Sequence, residues 1–147
     1  MKVLDTNAYL DEIRDLLRSG HDVTIPVVGS SMTPFLVGDR DSVHLVPIHR
    51  RNLKPGDIVL YQRDNGRYIL HRIFRLRGGS YDMLGDAHDM IERGIRREQI
   101  FGVVNACIRK EKTVLPGSFW WAFFARVWPR LRRVRRPIMA IYQALKG

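Results

Sequence analysis

The adjacent serines Ser30 and Ser31 begin a turn sequence that continues Met-Thr-Pro. Pro34 restricts Thr33 to extended backbone conformations, so the turn is expected to be stiff. A serine held in such a place can act as a nucleophile if a neighbouring base takes its hydroxyl proton. A serine that only caps or closes a turn fits the same residues. The motif alone leaves both interpretations open.

His71 is the candidate base. It lies in a β-like segment, where its side chain is expected on the same face as Ile69 and Ile73. A polar ring on an apolar face needs a partner. Neutral imidazole can take a serine proton near neutral pH, which makes His71 a candidate general base. A histidine satisfied within the core is the alternative.

Several acidic residues follow His71 between Gly85 and Gly94, and among them Asp86 and Glu92 are the candidates for a third functional group. An acid that accepts a hydrogen bond from the far ring nitrogen of a histidine fixes its tautomer and stabilises the imidazolium. The alternative is a solvated acidic turn. Both carboxyl groups stay open as the orienting acid.

The segments that must position these residues are mainly β. Helical spacing of apolar residues predicts one helix over residues 5–19. Short β-branched runs between turn signals predict strands over residues 23–28, 42–47, 58–63, 67–76, 81–84 and 100–109. Residues 91–99 are predicted to be a polar connection. Strands and helices do not alternate, so a parallel sheet is not expected.

The single cysteine, Cys107, lies in an apolar strand-like run and is predicted to be a small buried residue. One cysteine cannot form an internal disulfide, and no Cys/His spacing suits zinc. We therefore predict no metal and no cofactor.

The chain of 147 residues carries a formal net charge of +10, and its composition changes after residue 116. Residues 118–147 contain seven basic residues and no acid, with three tryptophans near the start. We therefore divide the chain into a domain over residues 1–116 and a basic amphipathic segment over 117–147, broken near Pro129 and Pro137. The aromatic residues either complete the core or lie in a membrane interface, with arginines on anionic lipid.

Five blocks of the sequence occur in an order that resembles the signal peptidase I and LexA-like serine peptidases. They are Gly-Ser-Ser-Met-Thr-Pro followed by Gly-Asp (29–39), Lys-Pro-Gly-Asp-Ile-Val (54–59), Leu-His-Arg-Ile (70–73), Leu-Gly-Asp with Glu-Arg-Gly (84–94), and Ile-Phe-Gly-Val-Val (100–104). Many members have a lysine base in the third block. This chain has His71, as in the endoplasmic-reticulum and archaeal type.

The resemblance implies a LexA/signal-peptidase-like β fold with Ser31 as nucleophile, His71 as general base, and Asp86, ahead of Glu92, as the orienting acid. It also implies an oxyanion site at the Ser31 backbone N–H. Ser30 is the neighbouring candidate donor, because Gly29 lacks the hydroxyl that the family often has there. The implied activity is a serine endopeptidase that cuts an extended peptide after small residues through an acyl-enzyme.

The expected partners are a peptide or precursor-protein substrate and, through the basic segment, an anionic membrane surface. The acidic start does not fit a signal peptide, and no run approaches the ~20 apolar residues that span a bilayer. We therefore predict a cytoplasmic or peripheral membrane protein. Two other functions stay open: a catalytically silent peptide-binding module of the same fold, and LexA-like nucleic-acid binding. No helix-turn-helix precedes the β domain, so nucleic acid is not the expected partner.

Overall fold

The computed structural model describes residues 6–29, 31–50, 52–88, 90–116, 118–134, 137–138, 140 and 144–145. Within these ranges, helix α1 (Thr6–Arg18) precedes strands β1 (Val23–Pro26), β2 (Ser42–Pro47), β3 (Ile58–Gln62), β4 (Tyr68–Arg77), β5 (Ser80–Leu84), β6 (Glu92–Ile95), β7 (Ile100–Arg109) and β8 (Lys112–Val114). The strands pair antiparallel in the order β1-β2-β7-β3-β4-β5-β6, and β8 pairs with β7. The predicted mainly β fold with one helix in front is confirmed.

Most strands begin and end within two residues of the prediction, but the prediction of a polar connection over residues 91–99 is wrong. Glu92–Ile95 forms β6, and Arg97–Gln99 forms a short 3-10 turn. Strand β6 pairs with β5, with Met83 opposite Glu92 and Tyr81 opposite Ile95. Only Ile95 of the four β6 residues is buried. This strand is therefore held by its pairing with β5, which the local pattern does not reveal.

Two apolar cores lie against the sheet. One contains Ile13 and Leu17 of α1, and the other is built around Tyr61, Ile73 and Val103. Helix α1 packs closely because β7 offers Gly102, where a Cβ would lie 2.9 Å from a methyl group of Leu17. Full burial of a leucine side chain such as that of Leu17 contributes about 1.5–3 kcal/mol.

The C-terminal segment is helical but changes its winding twice. Helix α2 (Phe119–Ala122) continues into a π-helical turn (Phe123–Val127) and then into a 3-10 stretch (Trp128–Val134). The hydroxyl of Ser118 caps the start by accepting from the backbone N–H of Trp121. Among the described residues, no helix has the length and apolar character needed to cross a bilayer.

The aromatic side chains of this segment divide between core and surface. Trp121, Phe124 and Trp128 are buried in the core that holds α1, whereas Phe119 and Trp120 are exposed. Ala125 packs on Gly56, where a Cβ would lie 2.9 Å from the alanine methyl group. The predicted boundary near residue 117 thus marks a change of composition, while the described part of the segment shares the main core.

Candidate active site

Ser31 stands at the start of a turn that the core holds in place. Met32, Phe35 and Leu36 are buried, while Ser31 itself is only partly covered. The backbone N–H of Leu36 donates to the carbonyl of Met32 at 2.9 Å. The turn therefore has the fixed geometry that the Met-Thr-Pro sequence predicts.

Buried Asp41 closes the loop that follows this turn. Its carboxylate accepts from the backbone N–H groups of Val37 at 2.8 Å and Lys110 at 3.1 Å, and it pairs with Arg40. Burial by itself would raise the pKa of Asp41, but these hydrogen bonds outweigh it and lower the pKa. The carboxylate thus stays charged and ties the loop to the end of β7.

Gly85 is the point at which the Ser31 backbone and His71 meet. A Cβ on Gly85 would lie 2.7 Å from the Ser31 carbonyl oxygen, 3.0 Å from Nε2 of His71 and 2.9 Å from Nδ1 of His88. The backbone N–H of Ala87, two residues after Gly85, donates to the same Ser31 carbonyl at 2.9 Å. The loop after β5 thereby fixes the Ser31 backbone beside the His71 ring, and only glycine fits between them.

The Nδ1 edge of the His71 ring contacts a tyrosine that the sequence analysis did not identify. The hydroxyl of Tyr61 lies 3.3 Å from Nδ1 of His71 and donates to Glu92 at 2.6 Å. Because the one hydroxyl proton goes to Glu92, the tyrosine oxygen is left to accept from Nδ1–H. The neutral His71 ring therefore carries its proton on Nδ1 and leaves the lone pair of Nε2 toward Gly85 and Ser31.

Arg63 keeps Glu92 ionised. Its guanidinium donates to both carboxylate oxygens, at 2.9 and 3.0 Å. Burial alone would raise the pKa of Glu92, but the hydrogen bonds from Arg63 and Tyr61 prevail and lower it. The pKa of the buried Tyr61 phenol is raised, first by burial and then by Glu92, so the hydroxyl keeps its proton.

His71 is a neutral ring at ordinary pH. Burial, and after it the nearby His88, lower its pKa to about 4, although Glu92 opposes the shift. The His71 and His88 rings meet edge to face with centroids 5.2 Å apart. A buried neutral imidazole with a free Nε2 lone pair is the protonation state that a general base requires.

The contacts of Asp86 differ from those expected of the orienting acid. Its carboxylate receives two hydrogen bonds from Arg72, at 2.9 and 2.8 Å, and both side chains are almost fully buried. Arg72 also donates to the Gly56 carbonyl, and its guanidinium lies over the ring of Phe35. The described contacts therefore favour Glu92, acting through Tyr61, over the sequence-based preference for Asp86, which instead anchors the loop that carries Gly85.

The structure bears differently on the remaining site residue, Ser30, and on Cys107, which was predicted to be a small buried residue. Ser30, the candidate oxyanion donor, lies outside the described residues. Cys107 is buried as predicted, and burial raises the pKa of its thiol to about 12, so it is not a nucleophile here. Within the described ranges, no group of three or more His, Cys, Asp and Glu side chains could hold a metal ion.

A cleft of about 1150 Å³ opens at Ser31 and His71. One wall is the segment 25–29, which includes the end of β1, and the other is the segment 67–71 of β4 and its turn. Helix α1 closes one side through Tyr9 and Leu10. Strand β1 ends the strand order, so in the described sheet one of its edges has no neighbouring strand.

No hydrogen bond joins the Ser31 hydroxyl to the His71 ring among the described residues. Hydrogen bonds between catalytic groups are often long without substrate and tighten in the complex. Tyr61 is the functional candidate that sequence reasoning missed. Its partners lie 10 and 31 residues away along the chain. The pairing of β3 with β4 brings Tyr61 to His71, whereas Glu92 comes from β6, which pairs with β5.

Comparisons with family models, with curated proteins and with solved structures find no match for this chain. The function must therefore be argued from the geometry of the site.

Proposed function

We propose that this chain is a serine endopeptidase in which Ser31 is the nucleophile and His71 is the general base. The observation that carries the proposal is the meeting at Gly85 of the Ser31 backbone and the unprotonated Nε2 of His71, both within 3.0 Å of one point. A serine in a fixed turn beside a neutral imidazole is the arrangement that nucleophilic catalysis needs. The resemblance of the five sequence blocks to signal peptidase I supports the same function.

The proposed reaction begins when Nε2 of His71 takes the Ser31 hydroxyl proton and Oγ attacks the peptide carbonyl carbon. The resulting oxyanion faces the Ser31 backbone N–H. When the carbon–nitrogen bond breaks, the imidazolium returns the proton to the leaving amine and an ester on Ser31 remains. Water, deprotonated by the same nitrogen, then hydrolyses the ester and restores the hydroxyl.

Glu92 supports the charged intermediate in this scheme. The imidazolium donates Nδ1–H to Tyr61, whose own proton is held by the Glu92 carboxylate. Glu92 favours the protonated form of His71. Its negative charge thus stabilises the imidazolium through one intervening hydroxyl, while Arg63 prevents Glu92 from taking the proton itself.

The cleft favours an extended peptide as substrate. Its walls include residues of strands β1 and β4, and β1 offers an edge at which a peptide can add a strand. Apolar residues of both walls, among them Ile25, Val27 and Leu70, line the cleft beside Ser31. The resemblance adds the expectation that small residues precede the cut.

A catalytically silent peptide-binding module is the second candidate. The observation that favours it is Gly29, which has a positive φ of 79° and provides no hydroxyl where the resembling peptidases often have an oxyanion donor. The cleft and the β1 edge would serve such a module equally well. The two functions differ only in whether a bound peptide is cut.

The deciding experiment is digestion of a defined peptide library with small residues at varied positions, followed by mass spectrometry of the products. The proposal predicts cuts by the wild type that disappear in Ser31→Ala and His71→Gln. Ser80→Ala and His21→Gln are matched controls, because Ser80 is half-buried, His21 is exposed, and both lie outside the cleft lining. Binding of peptides without any cut would establish the silent module instead.

A further inference from the structure

The C-terminal segment presents aromatic rings and arginines on the surface, and we call this set the aromatic–arginine face: Phe119, Trp120, Arg126, Val127 and Arg130. The side chain of Phe119 is 73% exposed and that of Trp120 is 53% exposed. Their rings contact each other at 5.1 Å between centroids, and Trp120 also contacts the ring of Phe123. The exposed aromatic residues thus form a continuous cluster.

The fold does not require these rings on the surface. The same segment is already anchored by buried Trp121, Phe124 and Trp128. Trp120 still contacts the rings of Phe123 and Phe124, yet more than half of its side chain and most of that of Phe119 face water. A contiguous exposed apolar patch on a folded protein is typical of a docking surface.

Charge indicates what docks there. Arg126 and Arg130 are exposed on the same segment as the rings, and the chain from residue 118 to 147 has seven basic residues and no acid. The partner must therefore offer anionic groups beside an apolar layer. An anionic bilayer has both, since its phosphates lie directly above the acyl chains and tryptophan partitions to that boundary. Duplex DNA offers phosphates but no apolar layer for the rings.

We propose that the aromatic–arginine face docks on anionic lipid bilayers, with its rings at the level of the headgroups. The proposal goes beyond the peptidase function and does not depend on it. The segment is rigidly seated, because Ala125 packs on Gly56 and the indole N–H of Trp128 donates to the Asp86 carbonyl at 2.6 Å. Docking would consequently hold the cleft in a fixed orientation to the bilayer.

Vesicle sedimentation with the full chain tests this proposal. The vesicles are pure phosphatidylcholine or a mixture with phosphatidylglycerol, and duplex DNA is added as a competitor in a parallel series. The expected result is binding to the mixed vesicles that exceeds binding to the neutral ones and persists with DNA present. Trp120 fluorescence shifts to the blue on binding, and Trp120→Phe removes that shift, because the other tryptophans are already buried.

Matched variants identify the surface. Phe119→Ala with Trp120→Ala should abolish most of the vesicle binding, and Arg126→Gln with Arg130→Gln should weaken it roughly 30-fold, at about fivefold for each arginine. Leu76→Ala and Arg93→Gln remove an exposed apolar and an exposed basic side chain elsewhere, and should bind as the wild type does. Thermal unfolding confirms that each variant is folded.

Three results would overturn the proposal: folded wild type that does not sediment with mixed vesicles, face variants that bind as well as the controls, or displacement from vesicles by duplex DNA. Ser31→Ala should bind vesicles as the wild type does. Failure of the peptidase proposal and failure of the docking proposal are therefore separate outcomes.

Discussion

The hydroxyl of Tyr61 lies 3.3 Å from Nδ1 of His71 and donates a hydrogen bond to Glu92 at 2.6 Å. In a Ser-His-acid triad the acid contacts the histidine directly. Here the acid acts through a phenol, and Arg63 holds the acid in its ionised form. The relation fixes the tautomer of His71 and makes Tyr61 a positioning residue for the proposed base.

Tyr61→Phe should lower kcat by about tenfold or more and leave KM nearly unchanged. The variant keeps the buried ring but removes the acceptor for Nδ1–H, so the His71 proton is no longer confined to Nδ1. Nitrogen-15 NMR of the His71 ring should report one tautomer in the wild type and a mixture in the variant. Tyr81→Phe is the matched control, because Tyr81 is buried in the same core as Tyr61 but does not line the cleft. A single unchanged tautomer in Tyr61→Phe would contradict the account.

Substitutions of the two candidate acids should have different effects on stability and on kcat. Asp86→Ala leaves Arg72 buried without its partner, so the free energy of unfolding should fall by about 3–5 kcal/mol. Glu92→Gln should cost less stability, because Glu92 is partly exposed, and should mainly lower kcat. Chemical denaturation and steady-state kinetics separate the two effects. If Glu92→Gln were fully active while folded Asp86→Asn lost the tautomer preference of His71, Asp86 would be the orienting acid.

The pKa of His71 should be far below that of a free histidine. Burial lowers its pKa to about 4, so proton NMR of the ring in the folded protein should show a midpoint near pH 4. Because Glu92 raises this pKa, Glu92→Gln should move the midpoint lower still. A midpoint near 6.5, the ordinary pKa of histidine, would mean that the ring is open to water.

The same shift predicts a pH dependence of stability. The unfolded chain binds a proton on His71 below about pH 6.5, and the folded protein does so only below about pH 4. His71 therefore does not lower the free energy of unfolding above pH 6.5. As the pH falls to 4, it lowers that free energy by up to about 3 kcal/mol. Denaturant unfolding across this window should show a shallower fall for His71→Gln. Parallel curves for the two proteins would contradict the assignment.

Gly85→Ala should abolish the peptidase activity of a chain that still folds. The added methyl group would meet the Ser31 carbonyl, Nδ1 of His88 and Nε2 of His71, all within 3.0 Å. We expect at least a hundredfold loss of kcat/KM, since a shift of about 1 Å at a reacting group costs that much. Gly66→Ala is the control: Gly66 has a positive φ, unlike Gly85, but its surroundings are open, so only about 1 kcal/mol of stability should be lost. Full activity of Gly85→Ala would contradict the proposal that the Ser31 backbone and the His71 ring must meet at Gly85.

Local patterns predicted most of the fold. Strands β2 and β7 were predicted with the bounds that the structure has, because turn residues delimit apolar runs on both sides. Strand β6 was missed since only one of its residues Glu-Arg-Gly-Ile is a large apolar residue, and it exists through its pairing with β5. The winding of residues 119–134 changes from α to π to 3-10. No single helical period could therefore separate the buried from the exposed aromatic residues.

The site was predictable where chemistry is local. Ser31 and His71 were identified by the residues next to them, and the structure brings the Ser31 backbone and the His71 ring to one point. The choice between Asp86 and Glu92 depends on contacts across three strands. Arg72 follows His71 directly, yet its side chain points to the opposite face of the strand, where it donates hydrogen bonds to the Asp86 carboxylate. Sequence alone gave no sign that Tyr61 would lie between His71 and the other acid.

The most direct test of the central claim is covalent labelling by a serine-reactive fluorophosphonate, with the label located by mass spectrometry. The rates at which the wild type, His71→Gln and Tyr61→Phe are labelled are compared, and Ser31→Ala serves as the blank. The account predicts a label on Ser31 that forms at a much lower rate in His71→Gln and at an intermediate rate in Tyr61→Phe. A label on another residue, or a Ser31 label whose rate does not change in His71→Gln, would contradict the account.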